Sequence, residues 1–284
     1  MRTHLVWKRF GSGFALTATL SALAGESTEH PIDAIKDNSF FVEEAYNQEA
    51  GVVQHIVTLG QDYTRSLAGE KERTLVVAFT QEWPLVSQRH QLSYTIPYVD
   101  FDTDRGGADA NGLGDVLLHY RIQALFESAS QLAFAPRLSL ILPTGEASRG
   151  LGEGKLGYQF NLPASKSIGD RWAVHANLGF TTFPGLRGRD PITPHLAGSV
   201  IYALEHRLHL LVETVATWPQ SVSAFGSIDR GSEVILSPGL RYALNWENSQ
   251  CVVGLGVPFG LKRPAPEYGF LVYVSFEHSI RRAR

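Results

Sequence analysis

From Gly51 onward, hydrophobic residues recur at every second position in one segment after another. One alternating set in the segment 115–126 is apolar, namely Val116, Leu118, Tyr120, Ile122, Ala124 and Phe126. The interleaved positions are Asp115, Leu117, His119, Arg121, Gln123 and Leu125. A period of two is typical of a β-strand with one apolar face and one mixed face. The segment is therefore predicted to be a strand whose two faces meet different surroundings.

The same pattern predicts twelve strands, and the connections between them alternate in length. Short turns such as VSQ are followed by longer polar loops such as TGEASRGLGE. Short turns at one end and long loops at the other are typical of an up-and-down transmembrane barrel. We therefore expect an all-β fold, a transmembrane antiparallel β-barrel of about 12 strands with both termini on the periplasmic side. The predicted strands span 51–61, 73–86, 90–101, 113–127, 130–143, 154–165, 171–183, 194–205, 208–218, 232–246, 250–262 and 267–278.

The apolar faces of these strands are almost free of charge, although 19% of all residues are charged. Their charged members are Arg73 and Asp100, both at strand ends. An Arg or Lys facing lipid at mid-bilayer costs about 2–4 kcal/mol, so a lipid-facing surface should lack charge in this way. A soluble β-sandwich also alternates, and the pattern alone does not exclude it.

The aromatic residues of the apolar faces favour the membrane reading. Outward-facing rings fall near strand ends, where an amphipathic ring suits a membrane–water interface. A soluble core would place its largest rings in the middle of strands. The rings at the short-turn end are Trp83, Phe126, Trp172, Trp246 and Phe276, and those at the long-loop end are Tyr98 and Trp218.

The N-terminus resembles a secretory signal. Basic residues precede the apolar run FALTATLSALA, and Ala22–Leu23–Ala24 has the small-x-small form of a cleavage site. We predict a signal peptide at 1–24, a periplasmic segment or partial plug at 25–50, and the barrel at 51–284. Within the segment 25–50, the apolar stretch SFFVEEAYNQ fits a helical turn or a short strand equally well.

The mixed faces predict a polar lumen whose lining forms a transport path. Its basic members are expected to lie opposite acids such as Glu213 and Glu233. Ion pairs that fill and rigidify a narrow interior are an equally good interpretation of the same residues. The predicted lumen-lining residues are Asp115, His119, Arg121, Arg137, His175, Glu213, Glu233 and Arg241.

Other kinds of site fit the sequence less well. The loop DFDTDRGGADAN has its glycine one position late for a calcium loop, and Asn111 stands where a Glu is required. GLGEG lacks the Lys-Ser/Thr of a phosphate-binding loop, and no G-x-S-x-G motif is present. Cys251 is the only cysteine, and a net charge of −3 offers no basic surface for nucleic acid. We predict no catalytic residues, no metal and no cofactor.

Four stretches resemble the family labelled for the meta-pathway of phenol degradation, whose members are described as outer-membrane transporters. These are FFVEEAYNQEAGVVQHI, NGLGDVLLHYR, RLSLILPTGEASRGLG and DRWAVHANLGFT, and the likeness runs from about residue 40 to the C-terminus. The resemblance implies a Gram-negative outer-membrane barrel and the passage of small hydrophobic or aromatic compounds.

We therefore predict a channel or transporter in the Gram-negative outer membrane that lets small molecules pass without energy input. Its expected partners are outer-membrane lipid and lipopolysaccharide, the barrel-assembly machinery during biogenesis, and a small-molecule solute. Two alternatives stay open: a closed barrel with a structural or surface-contact role, and an outer-membrane hydrolase.

Overall fold

The computed structural model describes residues 39–65, 69, 71–103, 109–223, 225–262 and 264–280. The predicted signal peptide and residues 25–38 lie outside the described residues. Within the described residues, no helix is long and apolar enough to cross a membrane. The only helical element described is one 3-10 turn, Ala147–Arg149, in a loop.

The described part of the chain contains seventeen β-strands. They are β1 Val52–Arg65, β2 Lys71–Leu85, β3 Ser87–Thr103, β4 Ala110–Leu113, β5 Val116–Ile122, β6 Ala133–Phe134, β7 Arg137–Leu142, β8 Gly157–Ile168, β9 Trp172–Thr182, β10 Ile192–Ala203, β11 Leu208–Thr217, β12 Gln220–Val222, β13 Ile228–Arg230, β14 Glu233–Trp246, β15 Ser249–Gly256, β16 Phe259–Lys262 and β17 Tyr268–Ser279.

The sheet closes on itself with every wall pairing antiparallel. The first strand, β1, pairs with β2 and with β17, and β11 pairs with β14 to complete the circle. Three of the barrel strands are interrupted, and each consists of two consecutive pieces that pair with the same neighbour. The pieces are β4 and β5 along β3, β6 and β7 along β8, and β15 and β16 along β14. If each interrupted strand is counted once, the barrel has twelve strands, and the prediction of a twelve-stranded barrel is confirmed.

Proline explains two of the breaks within walls. Pro136 separates β6 from β7, and Pro258 separates β15 from β16. A proline has no N–H to donate to the ladder, so it interrupts the pairing where it occurs. The third break, at Gly114–Asp115, carries one of the predicted lumen residues.

The two faces of the wall differ as the alternation predicts. Leu118, Leu138 and Leu178 are exposed on the outside. The residues that alternate with them along the same strands, such as His119 and Ser139, point inward and are buried. A soluble sandwich would bury these leucines between two sheets, so that alternative is wrong. This is the architecture of an outer-membrane barrel, with an apolar exterior and a polar interior.

The barrel has a turn end, formed by Val86 and the connections 123–132, 169–171, 204–207 and 247–248, and a loop end at the opposite ends of the strands. The sequence predicts about 11 residues between the first two strands, and this length is wrong. β1 and β2 remain paired as far as Arg65 and Lys71, so residues 66–70 connect them. Backbone hydrogen bonds continue beyond the membrane, where the side chains become polar and the apolar alternation ends.

Candidate functional site: the lumen and its N-terminal segment

Residues Ser39–Gln48, called here the luminal segment, lie inside the barrel without regular secondary structure. Each of them is at most 8% exposed. The segment precedes β1 and crosses the half of the lumen nearest the turn end. Its sequence is SFFVEEAYNQ, the apolar and acidic stretch noted above, and no period in it predicts that it lies in the lumen.

The carboxylate of Glu213 holds the start of the luminal segment. Its Oε1 accepts hydrogen bonds from Phe41 N at 2.7 Å and Val42 N at 3.0 Å. Glu213 lies in the middle of β11 and is 1% exposed. The side chain therefore binds backbone N–H groups, which must find acceptors when they are buried.

Further backbone N–H groups of the segment are bound in the same way by side chains around the wall. An irregular chain has no internal ladder, so the barrel supplies the acceptors instead. The acceptors are Asn177 Oδ1 for Glu43 N at 2.8 Å, Ser165 Oγ for Ala45 N at 2.8 Å, Gln123 Oε1 for Asn47 N at 2.8 Å and Gln91 Oε1 for Gln48 N at 2.7 Å.

Two arginines of the wall bind the acids of the luminal segment. Arg121 Nη1 lies 3.2 Å from Glu43 Oε1, and Arg121 Nη2 lies 3.7 Å from Glu44 Oε1. Arg137 Nε lies 3.3 Å from Glu43 Oε2, and Asn161 Nδ2 donates to the same oxygen at 2.6 Å. Each charge is buried in a low dielectric, where the loss of one partner costs more than it would on the surface.

The expectation that these arginines lie opposite Glu213 and Glu233 is therefore wrong for Arg121 and Arg137, whose ion pairs are with the luminal segment. The third arginine, Arg241, donates from Nε to His209 Nδ1 at 3.2 Å. Periodicity assigns residues to the inner face of a strand. It does not show what crosses the lumen.

The guanidinium of Arg121 also fixes the path of the segment backbone. It donates to Asn47 Oδ1 at 2.7 Å, to Glu44 O at 3.1 Å and to Tyr46 O. A planar guanidinium with five donors suits such a convergent set of acceptors. Arg121 is 1% exposed and connects the wall to Glu44, Tyr46 and Asn47 of the segment.

Close to the turn end, Tyr46 attaches the segment to the wall. Its hydroxyl donates to Glu127 Oε2 at 2.6 Å, and Glu127 also accepts from Ser167 N at 2.7 Å. Lys166 Nζ lies 3.4 Å from Glu127 Oε1. Burial and the neighbouring Glu127 carboxylate raise the pKa of Tyr46 above its usual value, so the hydroxyl stays a donor.

The ring of Phe40 fills a niche in the wall that three glycines form. Gly239 of β14 pairs directly with Gly256 of β15, and Gly254 lies two residues before Gly256 on the same inner face. A Cβ at Gly239 would lie 2.6 Å from Phe40 Cε2, one at Gly256 would lie 3.0 Å from Cδ2, and one at Gly254 would overlap the ring. Tyr273 forms one side, with ring centroids 5.6 Å apart. Only glycines leave enough room for this ring.

Two predicted lumen histidines are bound within the wall. His119 contacts Ser139 Oγ through Nδ1 at 2.8 Å and Thr95 Oγ1 through Nε2 at 3.1 Å. His175 Nδ1 lies 2.7 Å from Ser165 Oγ, and its Nε2 has no hydrogen-bond partner among the described residues. This serine–histidine contact therefore lacks the acid that would orient the imidazole of a hydrolase.

Asp115 anchors the loop 143–156 at the loop end of the barrel. Its Oδ1 accepts from Gly145 N at 2.9 Å and its Oδ2 accepts from Glu153 N at 3.0 Å. A Cβ at Gly152 would overlap the Asp115 carboxylate, so the glycine allows the loop to approach. This predicted lumen residue is buried, and its contacts hold a loop in place. Glu233 is also buried, at the loop-end start of β14.

Two apolar clusters lie in the lumen near the loop end. Leu151 of the loop 143–156 packs with Val76, Val99 and Ala110. A second cluster contains residues from two further loops, Phe183, Leu186 and Val222, together with Ile141 and the partly buried Leu117. The interior near the loop end thus combines apolar clusters with buried acids such as Asp115 and Glu233.

The acidic loop that the sequence singles out is engaged in ion pairing at the outer surface. Arg73 Nη2 lies 3.3 Å from Asp100 Oδ2 and 3.6 Å from Asp102 Oδ2. Asp104, the third acid of the loop, lies outside the described residues. Across the ranges that the structure covers, no group of three or more His, Cys, Asp or Glu could hold a metal ion.

Three solved structures were compared with this chain, and the first shares its fold. The COG4313 outer membrane channel from Pseudomonas putida F1 matches with a TM-score of 0.67 and 15% identity, covering 82% of this chain and 97% of that chain. The transport unit of the autotransporter AIDA-I from Escherichia coli has a TM-score of 0.49 and 9% identity, covering 81% and 90%. The CymD monoaromatic hydrocarbon channel has a TM-score of 0.43 and 8% identity, covering 83% and 90%. The last two carry no argument at these scores.

A comparison with curated protein sequences found no match. A family profile, described as "Putative MetA-pathway of phenol degradation", matches residues 74–277, which is more than two thirds of the chain. The match extends from β2 to β17 and so includes eleven of the twelve barrel strands. It confirms the resemblance that the sequence stretches indicate. The chain therefore belongs to this family, with the fold of an outer-membrane channel.

Proposed function

We propose that the protein is an outer-membrane channel for the passive passage of small hydrophobic or aromatic molecules, and that the luminal segment is its gate. The observation that carries the proposal is the attachment of Ser39–Gln48 to the wall through side chains of several different strands. A barrel of twelve strands encloses more room than one of eight, whose interior side chains just fill it. The segment occupies that additional room.

The two apolar clusters near the loop end support passage of a solute with apolar surface. A small apolar molecule entering at the loop end first meets the two clusters that contain Leu151 and Phe183. It then reaches the luminal segment, where polar contacts between the segment and the wall can exchange for other partners without covalent change. The eight predicted lumen residues include Arg121, Arg137 and Glu213, which hold the gate closed.

A reversible cross-link tests the gate directly. The hydroxyls of Ser39 and Ser199 are in hydrogen-bond contact, so cysteines at both positions are placed to form a disulfide. In a Cys251→Ser background, Ser39→Cys/Ser199→Cys should show no opening events in planar bilayers when oxidised. Reduction should restore the events, and each single cysteine variant should behave alike under both conditions.

Removal of residues 39–48 should complement the cross-link by producing a permanently conducting barrel. Uptake of an aromatic, a fatty and a sugar compound by cells with and without the protein would then identify the solute class. If neither reduction nor deletion produced conductance or uptake, the closed structural barrel would replace the channel.

The hydrolase alternative has less support. Ser165 and His175 are in contact, but the buried Ser165 hydroxyl is also the acceptor for Ala45 N. Hydrolysis of lipid or peptide by the refolded protein would restore this alternative.

Outer-membrane lipid, lipopolysaccharide and the barrel-assembly machinery are the partners that a Gram-negative outer-membrane barrel requires, and they form part of the proposal.

A further inference from the structure

The niche that holds Phe40 is shaped for a flat ring. Gly239, Gly254 and Gly256 come together on the inner wall, and the ring lies where their side chains would otherwise be. Leu211 Cδ1 would lie 3.2 Å from a Cβ at Gly239, and Tyr273 closes another side. Closing a lumen does not require such a niche, because larger wall side chains would fill the same volume.

A buried hydroxyl lies at the edge of the niche and is not satisfied by Phe40. Ser237 is 1% exposed, and its Oγ has no hydrogen-bond partner among the described residues. That oxygen would lie 3.3 Å from a Cβ at Gly256, a position that is itself 3.0 Å from the Phe40 ring. An unpaired buried hydroxyl is destabilising, and a phenyl ring cannot pair with it.

We propose that the niche is a binding subsite of the transport path for a single aromatic ring with a small polar substituent, and that Phe40 occupies it in place of solute. The ring would pack between the three glycines and Tyr273. The substituent would hydrogen-bond to Ser237. This inference rests on the proposed channel function, because only a lumen that admits solute can present the niche.

Competition for the niche couples solute to gate. A solute that binds only when Phe40 has left shifts the population toward the state in which the luminal segment is displaced. The apparent affinity of the intact protein is reduced by the fraction of molecules whose niche is empty. A variant without the Phe40 ring should therefore bind the same solute more tightly.

Isothermal titration calorimetry on the folded protein tests this directly. The probes are benzyl alcohol, toluene and cyclohexylmethanol, which separate the ring from its polar group and from apolarity alone. Phe40→Ala should bind benzyl alcohol at least about tenfold more tightly than the wild-type protein. Phe41→Ala removes an equal ring from the segment outside the niche and should leave the affinity near the wild-type value.

Two second substitutions in the Phe40→Ala background localise the site. Ser237→Ala should lower the affinity for benzyl alcohol to that for toluene. Gly254→Leu should abolish binding of both aromatic probes. Gly254→Ala serves as a milder change, because even its Cβ would occupy space that the ring takes. Heat-dependent mobility on electrophoresis confirms that each variant is folded.

Equal affinities for benzyl alcohol and cyclohexylmethanol, or equal effects of Phe40→Ala and Phe41→Ala, would overturn the subsite. Planar-bilayer conductance of the same variants separates the two proposals. Conductance without ring binding would leave the channel standing and remove the subsite. Ring binding without conductance or uptake in any variant would remove the channel instead.

Discussion

Arg121 of β5 and Glu43 of the luminal segment form a buried ion pair, with Nη1 and Oε1 3.2 Å apart, although the two residues are 78 positions apart in the chain. Both side chains are at most 1% exposed. Arg137 lies 3.3 Å from the other carboxylate oxygen, so Glu43 is held from two strands. The proposed gate therefore depends on charges that would lose their partners if the segment left the lumen.

Arg121→Ala should open the channel. The substitution leaves Glu43 and Glu44 with less compensation and removes the donors to the backbone of the segment. Removing one partner of a buried pair costs roughly 3–5 kcal/mol, and a 3 kcal/mol loss raises the open population by about two orders of magnitude. Single-channel recording in planar bilayers measures this as longer and more frequent openings.

Leu118→Ala is the matched control on the same strand, because Leu118 faces outward and is 43% exposed. It should lower the stability by about 1 kcal/mol and leave conductance unchanged. A cycle with Glu43→Ala should show that the effects of the two charge substitutions on opening are not additive. Altered conductance in Leu118→Ala with an unchanged Arg121→Ala would reverse the assignment of inside and outside.

Glu213→Ala should loosen the start of the luminal segment, because Phe41 N and Val42 N lose their acceptor. Each such bond to a carboxylate contributes about 1.5–3 kcal/mol, so opening should increase by at least tenfold. Glu213→Gln retains an acceptor oxygen and should stay near the wild-type conductance. Equal opening by the two variants would mean that Glu213 acts through its charge and not through the backbone bonds.

Asp115→Ala should release the loop 143–156 from the wall. The substitution removes the acceptors for Gly145 N and Glu153 N, whereas Asp115→Asn keeps one of the two. Trypsin cleavage at Arg149 should accelerate in Asp115→Ala and less so in Asp115→Asn. Ser148→Ala, which removes an exposed hydroxyl contact to Glu146, is the control and should leave the rate unchanged. Cleavage at the wild-type rate in Asp115→Ala would refute the anchoring role.

The orientation of the barrel in the membrane is open to cysteine labelling on intact cells. In a Cys251→Ser background, Ser148→Cys and Phe225→Cys at the loop end should react with an impermeant reagent. Ser128→Cys at the turn end should react only after the outer membrane is permeabilised. These three side chains are all exposed, so burial cannot explain a difference between them. Labelling of Ser128→Cys alone would place the turn end outside.

The sequence by itself determines the barrel wall. Each strand from β1 to β17 that contributes to the wall leaves a two-residue period, since one face meets lipid and charge there is expensive. The period also assigns Arg121, Arg137 and Glu213 to the interior, because inward and outward positions must alternate. Where the alternation ended, the predicted strand ended too early, as between β1 and β2, because hydrogen bonds outside the membrane need no apolar face.

Only the tertiary structure decides what fills the lumen. Ser39–Gln48 has no periodicity, and its contacts join it to residues as distant as Glu213 and Ser199. The role of Gly239, Gly254 and Gly256 is likewise invisible in three separate strand patterns, since the niche exists only where β14 and β15 pair and Phe40 arrives from elsewhere in the chain. A local pattern records the surroundings of a strand, whereas a plug is held by contacts between residues far apart in sequence, which no local period encodes.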